Sequence, residues 1–376
     1  MRICLFQTMP RSGLAFYGHC LADALGAEGH QVDLLTTVDY EYRSERYRIL
    51  NWLRPFGASK SGFLRKISSL WSYWLHACAL TRLVRRADPP YDVVHLQVPY
   101  IVFHWLFARL LRGHGRVVGT VHDVIPHVPV LHPTVDRLFS QWTFSAFDRL
   151  IVHSQENEEQ LHRHFRVAPD SVHVVPHGVF YYGHARQMPE PAGEHLRLLF
   201  FGGIRPNKGL GVLLEAMTLI RSVKAHLVIA GAGGSADSAL LERYRNRFDK
   251  LGVDHRITWY NRFIKDEEVP DLLSSVDAVV LPYTSFASQS GVLNVAIAYS
   301  RPVVVTDVGS MGATVREYGN GKVVPPQDAA ALAIALEGLA PGSPEYDRMV
   351  KGAARARSEL DWNRIAQRTV KSVYQG

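Results

Sequence analysis

Residues 196–209 read LRLLFFGGIRPNKG. Leu196 to Phe201 is apolar except for Arg197 and is closed by a glycine pair, the pattern of a short buried parallel strand. Gly202 and Gly203 free the backbone for a tight turn. Arg205 and Lys208 follow, and Gly209 leads into an amphipathic segment, Leu210 to Ile220, that predicts a helix. A strand, a glycine turn, two cations and a helix N-terminus together suit an anionic phosphate group. The helix end offers unpaired N–H groups and the positive end of its dipole. Arg205 can fork two oxygens and Lys208 adds a point charge. An ordinary βα turn with two solvated cations has the same local pattern, so the rest of the chain decides between them.

At 376 residues, 47% hydrophobic and 20% charged, the chain is long enough for two globular cores. Cys4, Cys20 and Cys78 lack metal spacing and read as reduced thiols of a cytoplasmic protein. MRICLFQT enters a strand at once, without a signal peptide's apolar region, and no apolar run reaches the ~20 residues of a membrane span. Net charge is +7, which admits anionic partners without naming them. Between Arg43 and Arg86 ten Lys or Arg face one acid, Glu45, with Trp52, Phe56, Phe63, Trp71, Tyr73 and Trp74 interleaved. That stretch fits an anionic membrane surface or a lipid diphosphate acceptor. It equally fits a solvated helix with its tryptophans in the core. No other feature supports nucleic-acid binding.

Strand and helix patterns alternate along both halves. Arg2 to Gln7, the helix Ala15 to Gly26 and Gln31 to Thr37 form a βαβ unit. Residues 40–60 read as irregular, Leu64 to Arg86 as a long basic helix, and YDVVHLQ (91–97), RVVGTVH (116–122), Arg149 to His153 and Val172 to Val175 as strands. Residues 179–195 carry Gly183, Pro189, Pro191 and Gly193 and mark a boundary. The alternation then restarts and runs to the helix Asp328–Leu339. The expected fold is two doubly wound α/β domains, 1–182 and 183–360, with ligands at the carboxyl ends of the strands and a cleft between the domains as the default site.

Four loops fall at such ends: Arg11-Ser12-Gly13-Leu14, His122-Asp123, Arg205 to Gly209, and Ser285 to Leu293. In the last, Ser288, Ser290 and the backbone N–H groups near Gly291 and Val292 stand at a helix start. With 18 histidines in the chain, His122 is singled out only by its strand-end position before Asp123. No zinc spacing, no Gly-x-Ser-x-Gly elbow and no Asp-x-Asp pair in a loop after a strand is present, and Ala230 to Gly234 reads as a turn, not a dinucleotide fingerprint.

In this order, the landmarks resemble the retaining GT-B glycosyltransferases of family 4. They are Gly13 with Ala15 and Tyr17, Gly29-His30-Gln31-Val32, DVVH (92–95), TVHD (120–123), His153-Ser154, Pro176-His177-Gly178, Gly203 to Gly209, VIAG (228–231), Pro282-Tyr283 and PVVVTDVG (302–309). The resemblance implies two Rossmann-like domains facing across a cleft, with the segment 361–376 crossing back as a helix to an N-terminal, acceptor-side domain. It implies a nucleotide-sugar donor, UDP- ahead of GDP-, held mainly by the C-terminal domain, with no cofactor and no metal. Arg205 and Lys208 would hold the diphosphate and stabilise its leaving charge. Gly203 belongs to the same loop. The backbone of Ser290, Gly291, Val292 and Leu293 would take phosphate oxygens. Gly13 would let the first loop approach, His122 would touch the transferred sugar, and Arg262, Phe263 and Ile264 would line the base pocket.

One departure matters. SQSGVLNVAIAYS (288–300) lacks the family's Glu-x7-Glu pair, and a subset of the family reads SQSGVL in its place. Asn294 is the substitute for the acid that holds the ribose, with Glu317 more distant. The expected activity is retaining transfer to a sugar or lipid-linked acceptor in polysaccharide or glycolipid assembly, in the cytoplasm and peripheral on the inner face of the plasma membrane. The alternatives are a non-catalytic scaffold subunit and a nucleotide-sugar epimerase.

Overall fold

The computed structural model describes residues 1–10, 13–54, 62–97, 104–125, 132–183, 195–233, 238–285 and 290–376. Arg11, Ser12, Phe56, Lys60, Pro126, Pro129, Ser288 and the stretch 184–194 lie outside them. The chain divides into two compact units, Met1–Gly178 with Asp361–Gly376, and Val179–Leu360.

The first unit contains β1 (Arg2–Phe6), α1 (Gly13–Ala27), β2 (Gln31–Thr37), β3 (Arg48–Leu53), α2 (Gly62–Arg85), β4 (Val93–Leu96) and α3 (His104–Leu111). It continues with β5 (Arg116–Thr120), α4 (Pro133–Phe144), β6 (Arg149–Val152), α5 (Gln155–His164) and β7 (Val172–Val174). Its parallel sheet runs β3-β2-β1-β4-β5-β6-β7. One face carries Cys4, Phe6, Val94, Leu96 and Val117 into a core shared with Leu80, Val84, Ala108 and Leu111 of the helices. The strands read as continuous apolar runs because both faces are covered.

The second unit contains β8 (His195–Phe201), α6 (Leu210–Leu219), β9 (Lys224–Ala230), α7 (Ser238–Leu251), β10 (Ile257–Tyr260), α8 (Val269–Ser274) and β11 (Ala278–Leu281). Then come α9 (Gly291–Ala298), β12 (Val303–Thr306), α10 (Met311–Tyr318), β13 (Gly321–Val324), α11 (Ala329–Glu337) and α12 (Pro344–Glu359). Its order, β10-β9-β8-β11-β12-β13, is also doubly wound. In each unit the strand order reverses beside its first strand, between β1 and β4 and between β8 and β11. Crevices open at such switch points, above the carboxyl ends of the strands.

The last helix, α13 (Trp362–Thr369), widens into a π-turn over Val370–Tyr374 and packs in the first unit. The Trp362 ring lies 5.0 Å from that of Tyr17, and Arg116 donates to the carbonyl of Val373 at 3.0 Å.

Three elements depart from the sequence reading. Residues 40–60 are not wholly irregular, since RILNWL forms edge strand β3, with only Leu50 and Leu53 buried and therefore little apolar signal. Helices α10 and α12 were not expected. The buried stripe of α12 (Tyr346, Met349, Ala353, Ala356) rests half on alanine and follows the Pro-Gly break at 341–342. The basic helix α2 buries Ala77, Leu80 and Val84 but leaves Trp71 62% exposed, so that tryptophan is not a core residue.

Candidate functional site

At the switch point of the second unit, two loops are stitched together by their backbones. After β8 the chain turns through Gly202, whose φ of +104° suits glycine. Residues Pro206–Lys208 then form one 3₁₀ turn, ended by Gly209 at φ +70°. A Cβ on Gly209 would stand 1.8 Å from the carbonyl oxygen of Pro282, so only glycine lets this turn rest on the loop that follows β11. Thr284 donates its backbone N–H to the carbonyl of Asn207 at 2.9 Å, and Asn207 donates its side-chain amide to the carbonyl of Ser285 at 3.3 Å. The cationic turn is therefore clamped onto 282–285.

Arg205 is exposed and Lys208 half-buried on this turn. The Lys208 ammonium sits 3.7 Å from the centroid of the Tyr283 ring. Burial, and next the charge of Arg205, bring the Lys208 pKa down to about 7. The Tyr283 hydroxyl lies 3.2 Å from Ser290 Oγ, and Ser290 caps α9 by accepting the N–H of Leu293 at 3.4 Å. Val292 packs toward Gly202, where an added Cβ would meet it at 3.2 Å. Gly203, Arg205, Lys208, Ser290, Gly291, Val292 and Leu293 thus belong to one constellation. Two cations and a capped helix N-terminus are a binding chemistry for anions.

The remaining candidates of this unit lie elsewhere. Arg262 is held by Glu268 through two hydrogen bonds, at 2.8 and 2.6 Å, and Glu268 is drawn down to about 2 by that guanidinium. Phe263 is 75% exposed beyond β10, whereas Ile264 is buried. Asn294 is buried inside α9, and Glu317 is exposed on α10.

In the first unit Gly13 opens α1. His122 lies two residues past β5 and its Nδ1 is 3.1 Å from Nε2 of His153. His153 Nδ1 in turn donates to the carbonyl of Val175 at 2.9 Å, which makes its Nε2 the acceptor of the His122 Nδ1 proton. Tyr17 stands edge-on to His122 at 4.8 Å and to His177 at 5.0 Å. His95 is held between Tyr374 at 2.6 Å and Thr120 at 2.7 Å. Burial is the largest cause that keeps all four imidazoles neutral, His95 and His177 at about 3, His153 at about 4 and His122 well below its usual value. Among the described residues, the His122 Nε2 atom and both side-chain amide atoms of buried Gln97, at the switch point beside β4, meet no hydrogen-bond partner at bonding geometry, although the Gln97 backbone lies near enough to His122 to raise its pKa slightly. His153 was read only as a landmark and Gln97 only as the end of a strand, because a partner on a neighbouring strand leaves no trace in local spacing. Among the described residues no group of three or more His, Cys, Asp or Glu could hold a metal ion.

Comparison with known proteins places both units. A family profile described as "Glycosyltransferase Family 4" matches residues 11–180, and one described as "Glycosyl transferases group 1" matches residues 195–340. The D-inositol 3-phosphate glycosyltransferase of Streptomyces coelicolor is 27% identical over 339 residues, covering 79% of this chain and 72% of the relative. The GDP-mannose:glycolipid 4-beta-D-mannosyltransferase of Xanthomonas campestris pv. campestris is 28% identical over 295 residues, covering 74% of this chain and 78% of the relative. The solved structure of Anabaena Alr3699/HepE in complex with UDP and glucose shares the fold, with a TM-score of 0.74 at 15% identity over 99% of both chains.

Proposed function

The chain belongs to glycosyltransferase family 4 and is a nucleotide-sugar-dependent glycosyltransferase, and from that premise we propose where it binds and what it transfers. The second unit holds the donor, and the first, taken as 1–182 with 361–376, is the acceptor side. Arg205 and Lys208 hold the diphosphate. The backbone N–H groups of Ser290 to Leu293 take its oxygens, with Gly203 and Gly13 as close-approach positions. Asn294, ahead of Glu317, holds the ribose in place of the absent glutamate. Arg262, Phe263 and Ile264 line the base pocket. His122 touches the transferred sugar through Nε2, the ring atom that does not face His153, and the Gln97 side chain offers a donor and an acceptor for sugar hydroxyls.

Transfer retains configuration. The bond from the anomeric carbon to the leaving phosphate oxygen breaks while the acceptor oxygen bonds on the same face, and that phosphate oxygen takes the acceptor's proton. Arg205 and Lys208 stabilise the charge that develops on the diphosphate. UDP is the preferred nucleotide, as the UDP-bound structure of the Anabaena protein suggests by analogy, with GDP as the competitor suggested by the mannosyltransferase. The acceptor is a sugar or a lipid-linked sugar. The basic stretch 43–86, with Trp52 and Trp71 more than half exposed, meets an anionic membrane at the inner face of the plasma membrane. No helix among the described residues is long and apolar enough to cross a membrane.

The observation that carries this reading is the turn Arg205–Gly209 clamped beside the Ser290-capped helix. The test is thermal shift with UDP, GDP, ADP and their sugars, on the wild type and on Lys208→Ala and Arg205→Ala. Ligand at 100 times its Kd stabilises by about 2.7 kcal/mol. A shift with one nucleotide, lost in both variants, supports the site and names the base; a shift that survives both moves the diphosphate elsewhere.

A further inference from the structure

A cation half withdrawn from water needs a compensating partner. A carboxylate beside Lys208 would compete with any anion the lysine is meant to hold. An aromatic face compensates differently, because it attracts the ammonium without neutralising it and leaves N–H groups to donate. The Tyr283 ring occupies that place, 3.7 Å from Nζ. It is fixed from both ends. Thr306 Oγ1 donates to the Tyr283 carbonyl at 2.6 Å, and the Tyr283 hydroxyl lies 3.2 Å from Oγ of Ser290, the cap of α9. One side chain thereby touches both halves of the anion site, the cationic turn and the capped helix.

We propose that Tyr283 is a positioning residue of the diphosphate site, its ring seating the Lys208 ammonium and its hydroxyl tying that seat to the N-terminus of α9. The inference rests on the reading of Arg205 and Lys208 as the diphosphate site. It carries a consequence for proton balance. Among the described residues, Arg205 on its own turn lowers the Lys208 pKa and the Tyr283 phenol faces Nζ, with burial raising that phenol to about 12 and so keeping it neutral. With its pKa at about 7, Lys208 is only half charged at neutrality in the free protein. A bound diphosphate favours the charged form, so binding takes up a proton. Affinity is full below pH 7 and falls above it, by up to about tenfold per pH unit.

The experiment is titration calorimetry of the full chain with UDP, GDP and ADP between pH 6.5 and 9.0, in buffers of differing ionisation enthalpy. For the nucleotide that binds, the wild type is expected to take up a proton above pH 7 and to weaken accordingly. Tyr283→Phe keeps the ring but loses the tie to Ser290, so its affinity falls by about threefold while its pH break is unchanged. Tyr283→Leu loses the ring, weakens binding by about tenfold and moves the break. In a Lys208→Met background Tyr283→Leu has no further effect, which separates positioning from general damage to the fold. Equal loss in the Phe and Leu variants, additive loss in the Lys208→Met background, or wild-type binding without proton uptake overturns the inference alone. A wild type that binds none of the three nucleotides overturns the diphosphate reading and this inference with it.

Discussion

The two units handle basic side chains at their strand ends in opposite ways. In the second, Arg205 stands exposed and Lys208 half-buried on one turn, Lys208 half charged at neutrality, with an aromatic ring and a helix cap as neighbours. In the first, four imidazoles are buried as neutral hydrogen-bonding groups, with Tyr17, Thr120 and Tyr374 among them. The first arrangement is suited to capturing an anion. The second is suited to reading hydroxyl groups, since a neutral imidazole both donates and accepts. Crowding of basic groups is relieved in the second unit by the exposure of Arg205 and the lowered pKa of Lys208, and in the first because burial keeps the imidazoles neutral.

The largest effect expected from breaking this contrast is on turnover. Lys208→Ala and Arg205→Ala should each lower kcat/KM by about 100-fold or more, as loss of a charge-stabilising donor does, and donor-consumption assays check it. Gly209→Ala comes next. It places a Cβ against the Pro282 carbonyl at a left-handed φ, so the clamped turn must move. A stability loss of about 1–3 kcal/mol, with weakened nucleotide binding, is expected by denaturant titration.

Acid sharpens the other side of the contrast. The folded pKa values of His95, His153 and His177 lie below the usual 6.5, at about 3, 4 and 3. Below pH 6.5 the unfolded chain therefore binds protons that the folded unit refuses, so stability is complete above 6.5 and falls as pH drops from 6.5 towards 4. Each neutral imidazole accounts for about 1.4 kcal/mol per pH unit in that window. Urea unfolding at pH 7.5 and 5.0 reads it, and an unchanged midpoint would refute the neutral cluster. The smallest effect is at the membrane. Trp71→Ser with Trp52→Ser should weaken binding to anionic vesicles severalfold, by co-sedimentation, through lost interfacial burial and not lost charge.

Much of the architecture was legible in the sequence. Doubly wound sheets announce themselves through short apolar runs alternating with amphipathic stretches, and β8 and its turn are a strong example. The edge strand β3 was not legible, because an edge strand with one lightly buried face carries little apolar periodicity. Nor was α12, whose buried stripe is partly alanine. At the site, the proximity of Arg205 and Lys208 to each other is local and could be read. The seat of Lys208 on Tyr283, 75 positions further along, could not.

By itself, the sequence determined the fold class and the chemical character of each loop, since these follow from residue type and local spacing, and its ordered landmarks carried the resemblance to the family. Tertiary structure alone decided which loops share a switch point, that Gly209 must be glycine because Pro282 is beneath it, and that His122 pairs with His153 across two strands. It also decided the charge of Lys208 and of the four buried imidazoles. Burial and neighbours set a pKa, and both are properties of the packed chain, which no stretch of sequence carries on its own.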